Sequence, residues 1–309
     1  MKPVHAGGRI VVFGSLNMDL VARVPRMPGP GETLAGHGFF SNAGGKGANQ
    51  AVAAARQGAQ VAMVGQVGAD AFGAELGTAL HDNGVDVTDV RATAEAPTGV
   101  AMILVDDGAQ NCIAVIAGAN AQVGPADAQA LVERLGPGDL LLLQLEVPMD
   151  AVQRAAAVAR ERGATVVLNP APAHALPAAL WPLVDILVLN ETEAGMLDGQ
   201  ASVDASSAAG VGARLLQRGP NHVIVTLGAD GVVWTSAAGT QHFDAVRVQA
   251  IDTTAAGDTF IGALAARLAA QLPMADAIAH GIRAAALSVT RPGAQASMPT
   301  LAEVARFAP

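Results

Sequence analysis

The chain has 309 residues, of which 51% are hydrophobic and 15% are charged, so it can bury a large core and does not have the composition of a disordered protein. Its net charge of −9 and the lack of a basic run argue against nucleic acid or an anionic membrane surface as a partner. The single cysteine, Cys112, excludes an internal disulfide and a cysteine-based zinc site.

The first predicted element is a short buried strand from Arg9 to Phe13. This run is too brief for the hydrophobic region of a signal peptide, and no other uninterrupted apolar run is long enough to span a bilayer. We therefore expect a cytoplasmic protein with no membrane partner. The polar segment 14–19, directly after the strand, stands where α/β folds place ligand contacts.

A glycine-rich segment, GGKGANQ over residues 44–50, opens an alanine-rich helix that runs to about Gln57. It is not a Walker A loop, because a glycine follows Lys46 where serine or threonine is required, and the dinucleotide fingerprint is also missing. The glycines indicate either a flexible helix entry or a close approach to the backbone, and this stretch alone does not decide between them. A strand at Val61–Val64 and a helix at Ala71–Asn83 follow.

Two regions on either side of this part of the chain have the character of edge strands. Residues 20–42 are rich in proline and glycine, with apolar residues in short bursts. Thr98–Val105 and Asn111–Ile116 flank an Asp-Gly step, which indicates a hairpin. This hairpin can pair with residues 20–42 to form a small second sheet.

From residue 125 onward, helices and strands alternate regularly. The predicted order is helix 125–135, strand Leu140–Leu145, helix 150–162, strand Thr165–Leu168, a short helix near 176–181, strand Ile186–Leu189, helix 203–218 and strand Val223–Leu227. This alternation indicates a parallel sheet that is covered on both faces.

Polar residues follow the predicted strands at their carboxyl ends. Since a parallel sheet brings these ends to one edge, five in succession favour a shared cleft; they are Gln144 with Glu146, Asn169, Asn190 with Glu193, Thr226 with Asp230, and Asp252. Local interpretations also stand: the segment 190–193 fits a helix capping box, and the segment 226–231 fits a hairpin turn.

The segment 246–264 has the pattern of a phosphate-transfer site. A strand over Val246–Ile251 is predicted to lead through a polar turn into a helix over 257–271, and a second helix, 274–289, follows Pro273. The small residues before Asp258 would leave backbone N–H groups bare at the helix start, which is a suitable anion site. An acid in a first turn is often only a cap, but the small residues and the nearby Asp252 favour phosphate transfer with an acid as base.

Together these residues resemble the ribokinase/PfkB-type carbohydrate kinase family. The resemblance runs from Gly14 to about Pro299, and its most specific parts are GGKGAN and AAGDTF. The surrounding matches favour the ribokinases within that family; they are GSLNMD, PGPGET, TGVA, AGAN, QLEVP, LNPAPA, LNETEA, TLGADG and VTRPGAQ.

The resemblance implies a three-layer α/β/α sandwich with a mostly parallel central sheet, in one domain over residues 1–309. A small β-sheet lid, from about residues 17–42 and 97–118, would pair with another subunit's lid in a homodimer. The implied reaction is the phosphorylation of D-ribose by ATP at the 5-hydroxyl. A related kinase of deoxyribose, a ketose or a nucleoside remains an alternative, as does a non-catalytic sugar-binding regulator. The lack of tyrosine disfavours a nucleoside site that needs stacking.

The resemblance also implies roles for individual residues. Asp258 would be the general base, beside an anion hole formed by Ala255, Ala256 and Gly257. Ribose would be held by Asn17, Met18, Asp19, Gly45, Lys46, Gly47, Ala48, Asn49 and Glu146. ATP would contact Asn190, Glu193, Thr226, Leu227, Gly228, Ala229, Asp230, Gly231, Gly257 and Ile282, with Glu193 acting through water on Mg²⁺. A potassium ion would be surrounded by Asp252, Thr254, Ser288, Arg291, Gly293 and Ser297.

Two positions depart from the family pattern. Ile282 stands where many relatives carry histidine or asparagine near the adenine, and Ala229-Asp230 stands where a basic residue is common. These departures imply apolar contacts to the adenine and one phosphate contact fewer, and neither touches the proposed chemistry.

Overall fold

The computed structural model describes residues 7–108, 110–200 and 202–307. The strands in these residues are β1 (Ile10–Phe13), β2 (Asn17–Val24), β3 (Gly38–Gly44), β4 (Val61–Gly68), β5 (Val85–Thr93), β6 (Gly99–Asp106), β7 (Asn111–Ile116), β8 (Leu140–Leu143), β9 (Thr165–Leu168), β10 (Ile186–Asn190), β11 (His222–Thr226), β12 (Val232–Ser236) and β13 (Gly239–Phe243). The α-helices are α1 (Lys46–Arg56), α2 (Ala71–Asp82), α3 (Ala130–Arg134), α4 (Met149–Glu161), α5 (Glu191–Asp198), α6 (Ala208–Leu216), α7 (Ala256–Ala269), α8 (Met274–Ser288) and α9 (Leu301–Arg306).

The central sheet has nine strands in the order β13-β12-β11-β10-β9-β8-β1-β4-β5. The seven strands from β11 to β5 are parallel, and β12 runs antiparallel to both of its neighbours. β1 lies between β4 and β8, where Ile10 pairs with Val61 on one side and Leu140 on the other. Both faces of β1 are buried, which explains its unbroken apolar sequence.

Helices cover the two faces of this sheet and bury two separate cores. α4 and α6 pack against one face with Val11 and Phe13. α1, α2, α7 and α8 pack against the other face with Ile10 and Val12. The arrangement confirms the expected three-layer α/β/α sandwich. Among the described residues, no helix is both long enough and apolar enough to cross a membrane.

A separate four-stranded sheet has the order β3-β2-β6-β7. β2 is antiparallel to β3 and parallel to β6, and β6 and β7 form the predicted hairpin, whose turn residue Ala109 lies outside the described residues. This sheet, referred to below as the lid sheet, is the predicted second sheet. Several of its large apolar side chains are exposed, among them Phe39, Met102, Ile113 and Val115.

Some predicted elements differ from the structure. The strand expected over Val246–Ile251 is wrong, because the segment pairs with no strand; the N–H of Ile251 instead donates to the carbonyl of Val289 at 2.7 Å. Residues 125–135 form only short helical turns and α3, and the helix expected near 176–181 is a 3₁₀ turn at Trp181–Leu183. β5 was not predicted, because most of this edge strand is partly or fully exposed and its pattern is polar.

Candidate active site

The glycine-rich segment brings α1 against the loop that follows β1. Gly45 has φ 89°, and a Cβ on it would lie 2.7 Å from the backbone nitrogen of Asn17. A Cβ on Gly47 would lie 2.6 Å from the backbone nitrogen of Ser15. At these two glycines the close approach is made by the backbone of the loop after β1. Packing within the protein therefore requires the glycines, so the segment is neither a flexible helix entry nor shaped only by a ligand.

Glu146, which follows β8, ties this loop to the start of α1. Its Oε2 accepts hydrogen bonds from the Ser15 hydroxyl at 2.5 Å and from the backbone N–H of Lys46 at 3.0 Å. The hydroxyl of Ser15 accepts in turn from the N–H of Gly47. Glu146 is therefore held through Oε2, and its Oε1 accepts no hydrogen bond in the described part of the chain.

Asn17 and Asp19 extend from β2 of the lid sheet towards this cluster. The Oδ1 of Asn17 accepts from Nδ2 of Asn120 at 2.7 Å, and Asn120 is itself locked by two hydrogen bonds to the backbone of Leu16. The side-chain nitrogen of Asn17 therefore takes no part in the hydrogen bond with Asn120. The Asp19 carboxylate lies against Gly44, where a Cβ would come within 2.3 Å of Oδ2, and no hydrogen bond to it is formed within the described ranges.

Asp258 lies in the first turn of α7 and is 7% exposed. Nδ2 of Asn49 donates to its Oδ2 at 3.1 Å, and Nε2 of Gln50 donates to its Oδ1 at 3.0 Å. Burial raises the pKa of Asp258, while Lys46 and the two amide donors act in the opposite direction. A raised pKa makes this carboxylate a stronger base than an exposed aspartate, which suits the acceptance of a proton.

Amide side chains behind Asp258 form a network in which Gln144 and Asn169 were expected at the cleft from their strand ends, whereas Gln50 was not. Gln144 donates to Oε1 of Gln50 at 2.6 Å, and Gln50 also donates to Asn169 at 3.3 Å. Asn169 then donates to Glu193 at 3.4 Å. Gln50 stands in GGKGANQ and Gln144 in QLEVP, so the motifs contained the signal, but only the fold shows that these side chains meet.

Lys46 is the positive charge among four carboxylates. Burial by itself would lower the pKa of Lys46, but the fields of Asp258, Glu146, Glu193 and Asp19 outweigh it and raise that pKa. Burial, with the negative charges of Glu146 and Asp258, raises the pKa of Asp19 to about 7. The site therefore holds more negative charge than it neutralises, which suits the binding of hydroxyl groups and cations.

The start of α7 differs in part from the expected anion hole. The N–H of Ala256 donates to the carbonyl of Thr253 at 3.2 Å, so this amide is not bare. The first hydrogen bond of the helix runs from the N–H of Thr259 to the carbonyl of Ala255, which adopts a left-handed φ of 57°. The N–H groups of Gly257 and Asp258 come earlier in the helix and take no part in that bond. A Cβ on Gly257 would meet no atom within 4 Å. Space for an anion therefore exists beside Gly257.

Two residues of the expected ribose set have buried side chains. Met18 and Ala48 are at most 1% exposed and belong to the core that lies beneath α1. Only their backbone atoms can face a ligand. The other expected ribose residues surround Asp258, Lys46 and Glu146 as described above.

The segment Asn190–Glu193 forms the capping box of α5. Oε2 of Glu193 accepts from the N–H of Asn190 at 3.0 Å, and Oε1 accepts from the Asn190 side chain at 3.1 Å. Burial raises the pKa of Glu193, and Lys46 opposes this effect. The backbone and side chain of Asn190, together with Asn169, therefore hold the Glu193 carboxylate in one orientation, with a lone pair of Oε1 remaining.

The segment 226–231 joins β11 to β12 by a 3₁₀ turn over Gly228–Asp230, as the hairpin interpretation predicts. Leu227 is buried, Thr226 is half-buried and the turn itself is exposed. A cavity of about 630 Å³ adjoins the turn and is lined by Ala205, Ala229, Asp230, His242, Asp244, Ala245 and Arg247. Ile282, which is 8% exposed, packs into the core beside α1 and α7.

The residues expected around potassium come from the loop before α7, the last residue of α8 and the loop after α8, and the structure brings the two loops together. Asp252 accepts from the N–H of Gly293 at 2.8 Å and from the N–H of Thr254 at 2.9 Å. These hydrogen bonds hold the pKa of Asp252 below its usual value, although burial opposes them. Arg291 pairs with Glu303, so only its carbonyl could face a cation. The hydroxyls of Ser288 and Ser297 donate to backbone carbonyls of their own turns and keep lone pairs.

Apart from their backbone carbonyls, these residues offer the side-chain oxygens of Asp252, Ser288 and Ser297, and oxygen is the ligand atom that hard cations prefer. No group of three or more His, Cys, Asp or Glu side chains in the described part of the chain could hold a metal ion.

Comparison with known proteins agrees with this architecture. The model of the family described as pfkB family carbohydrate kinase matches residues 8–301. A ribokinase of Haemophilus influenzae is 41% identical over 298 residues, which cover 96% of this chain and 97% of that protein. A deoxyribokinase of Salmonella typhi is 38% identical, with 94% and 96% of the two chains covered.

A solved structure gives the same result for the fold. The structure of Arabidopsis thaliana ribokinase complexed with ribose and ATP has a TM-score of 0.90 and 30% sequence identity, and the match covers 98% of this chain and all of that chain.

Proposed function

The chain belongs to the pfkB family of carbohydrate kinases, and we propose that it transfers the terminal phosphoryl group of ATP to the 5-hydroxyl of D-ribose. The observation that carries this proposal is the buried carboxylate of Asp258 at the start of α7, with open space beside Gly257 and a polar cluster on its other side. Relatives named ribokinase, and a relative solved with ribose and ATP, support the same substrates.

In the proposed reaction, the 5-hydroxyl oxygen of ribose attacks the terminal phosphorus of ATP. A new phosphorus–oxygen bond forms, the bond to the departing ADP oxygen breaks, and the hydroxyl proton passes to Asp258. The free amides at the start of α7 and the helix dipole stabilise the negative charge of the transferring group. Positioning and electrostatic stabilisation supply most of the rate, and the base supplies the remainder.

The sugar would lie between the lid sheet and the start of α1. Asp19, Glu146 and Asn49 offer carboxylate oxygens and an amide close to Asp258 and Lys46. Asn17 keeps its nitrogen free to donate because Asn120 occupies its oxygen. Such short, fixed groups suit a polyhydroxy ligand, and an unpaired acceptor left by a missing hydroxyl would cost binding energy.

We further propose that the enzyme uses Mg²⁺ and is activated by K⁺. Glu193 would hold Mg²⁺ through water beside the phosphates, where the ion would neutralise developing charge. Asp252, Thr254, Ser288, Arg291, Gly293 and Ser297 would surround K⁺, as the oxygen-rich contact of their two loops supports. The nucleotide would lie along Asn190, the segment 226–231 and Ile282, beside the cavity at Asp230.

We propose that the chain is one domain with a lid and that two lids pair in a homodimer in the cytoplasm, where ATP is available. The exposed apolar side chains of the lid sheet support the pairing, since patches of this kind mark interaction surfaces. Ile113→Lys should then convert a dimer into a monomer in light scattering. A wild-type chain that is monomeric at micromolar concentration would contradict the pairing.

The experiment that tests the function is ADP production from ribose, deoxyribose, fructose and adenosine, with and without K⁺. Ribose should give the highest kcat/KM. Deoxyribose is the second candidate because of the similarity to a deoxyribokinase, and it would replace ribose if its kcat/KM were higher. Tight binding of ribose without any ADP production would favour a sugar-binding regulator.

A further inference from the structure

We infer that Gln295 is a positioning residue for the proposed reaction, because it fixes the side-chain amide of Asn49 in the orientation that donates to Asp258. The inference rests on the proposed function. It extends that function by tying the loop 291–298 to the catalytic base through one side chain. Gln295 was not among the residues expected in the site.

The geometry of the amide carries the inference. Nε2 of Gln295 donates to Oδ1 of Asn49 at 3.2 Å, and Nδ2 of Asn49 donates to Oδ2 of Asp258 at 3.1 Å. All three side chains are buried. A side-chain amide has one donor end and one acceptor end, so a donor placed on the Asn49 oxygen directs the Asn49 nitrogen to the base.

The loop that carries Gln295 is held to the same helix. Nη1 of Arg56 donates to the carbonyls of Gln295 and Met298, both at 2.7 Å, and Nε of Arg56 is fixed by Asn83 at 2.8 Å. Arg56 ends α1, whereas Asn49 lies near its start. The loop is therefore anchored to α1 at two points, one of which reaches the base through Asn49.

The other oxygen of Asp258 is served by a matching arrangement. Gln144 donates to the oxygen of Gln50, and the nitrogen of Gln50 then donates to Oδ1 of Asp258. Each donor to the base is thus oriented by a second amide. Reversal of either would turn a carbonyl oxygen towards a carboxylate, which is unfavourable in a buried site.

Gln295→Glu tests the inference because it keeps the size of the side chain and removes its donor. A carboxylate at position 295 accepts only, so Asn49 must turn its nitrogen towards it and its oxygen towards Asp258. We expect kcat to fall by about 100-fold, the scale of a small misplacement of a reacting group, with the KM for ATP within about twofold of wild type. Gln295→Met, which removes the donor without adding an acceptor, should lower kcat by about tenfold.

The acid limb of the kcat–pH profile should also move to higher pH in Gln295→Met, because Asn49 is no longer held in the orientation that donates to Asp258 and no new charge is added beside it. Lys46, Glu146, Asp19 and Glu193 face Asp258 and are unchanged in the variant, so they give the same background in both profiles. A purely structural defect would lower the amount of active enzyme and leave this limb in place.

Gln57→Met is the matched control. Gln57 is a buried glutamine of the same region that donates to the carbonyl of Pro299 at 2.7 Å, beyond the same loop, and forms no hydrogen bond with Asn49. This control should lose thermal stability and keep kcat within about twofold. Equal losses of kcat in the Gln57 and Gln295 variants would overturn the inference, as would a Gln295→Glu enzyme with the kcat and pH profile of wild type.

If Gln295→Glu does not fold, Gln295→Met decides: a lowered kcat with an unchanged KM for ATP supports the inference, and an unchanged kcat overturns it. A wild-type protein that phosphorylates no sugar overturns the proposed function instead, so the two failures are distinguishable.

Discussion

The side-chain nitrogen of Asn49 lies 3.1 Å from Oδ2 of Asp258, although 209 positions separate the two residues in the chain. This hydrogen bond joins the start of α1 to the start of α7. The two helices come this close because Gly262 faces α1, where a Cβ would lie 2.5 Å from the Cβ of Ala53. The proposed catalytic cluster is therefore built on a helix contact that only a residue without a side chain allows.

Asp258→Asn should keep ribose and ATP binding and lose most turnover. A general base contributes about 10² to 10⁴-fold in rate, so kcat should fall by that range while both dissociation constants change little. Steady-state kinetics with calorimetric binding would measure this. Asp127→Asn, which changes another buried carboxylate outside the site, is the control and should keep kcat. Near-normal turnover in Asp258→Asn would remove Asp258 from the role of base.

Asp19 should make ribose affinity depend on pH. Its pKa of about 7 means that the free enzyme gains the ionised acceptor as pH rises through 7, so ribose should bind more tightly at pH 8 than at pH 6. Asp19→Asn should bind ribose weakly at both values. A wild-type dissociation constant that is the same at pH 6 and pH 8 would contradict this.

The same group should affect stability. Because the folded-state pKa of Asp19 lies above its unfolded value, the native state binds more protons and wild-type stability falls as pH rises from about 4 to about 7. Asp19→Asn should therefore raise the Tm more at pH 8 than at pH 5. Asp204→Asn is a control with the opposite expected sign. Hydrogen bonds from Ser206 and Ser207 lower the pKa of Asp204 to about 2, so removal of this carboxylate should lower the Tm at pH 8.

Two glycine substitutions should separate packing from ligand space. Gly47→Ala places a Cβ 2.6 Å from the nitrogen of Ser15, so the protein should lose about 1–3 kcal/mol of stability. Gly257→Ala meets no atom within 4 Å and should leave the Tm unchanged or raised. It should nevertheless lower kcat/KM for ATP, since its methyl group enters the space proposed for the phosphoryl group. Unimpaired kinetics in Gly257→Ala would place the phosphate elsewhere.

Lys46→Met should raise the pKa of the surrounding carboxylates, because Lys46 lowers the pKa of Asp258, Asp19 and Glu193. The acid limb of the kcat–pH profile should move to higher pH, and kcat at a fixed pH on that limb should fall by about tenfold for each pH unit of the movement. Lys46→Arg keeps the charge and should keep the position of the limb. An identical limb in wild type and Lys46→Met would show that the lysine does not control the base.

By itself, the sequence determined the layered fold. The alternation of apolar strands with helices indicated a covered parallel sheet, because such strands must bury both faces. The Asp-Gly step at 107–108 located the hairpin of the lid sheet, and GGKGAN with AAGDTF located both helix starts of the candidate site. These features are local, so a single stretch of chain contains the whole signal.

Only the tertiary structure decided how the candidate site is assembled. It showed that the glycines at 45 and 47 accommodate the chain's own loop, that Ala256 donates its N–H to Thr253, and that Val246–Ile251 finds no partner strand. It also brought Gln50 to Asp258, and Gln295 to Asn49, from distant motifs. Hydrogen bonds and burial depend on which distant segments meet, and a local pattern of residues does not contain that information.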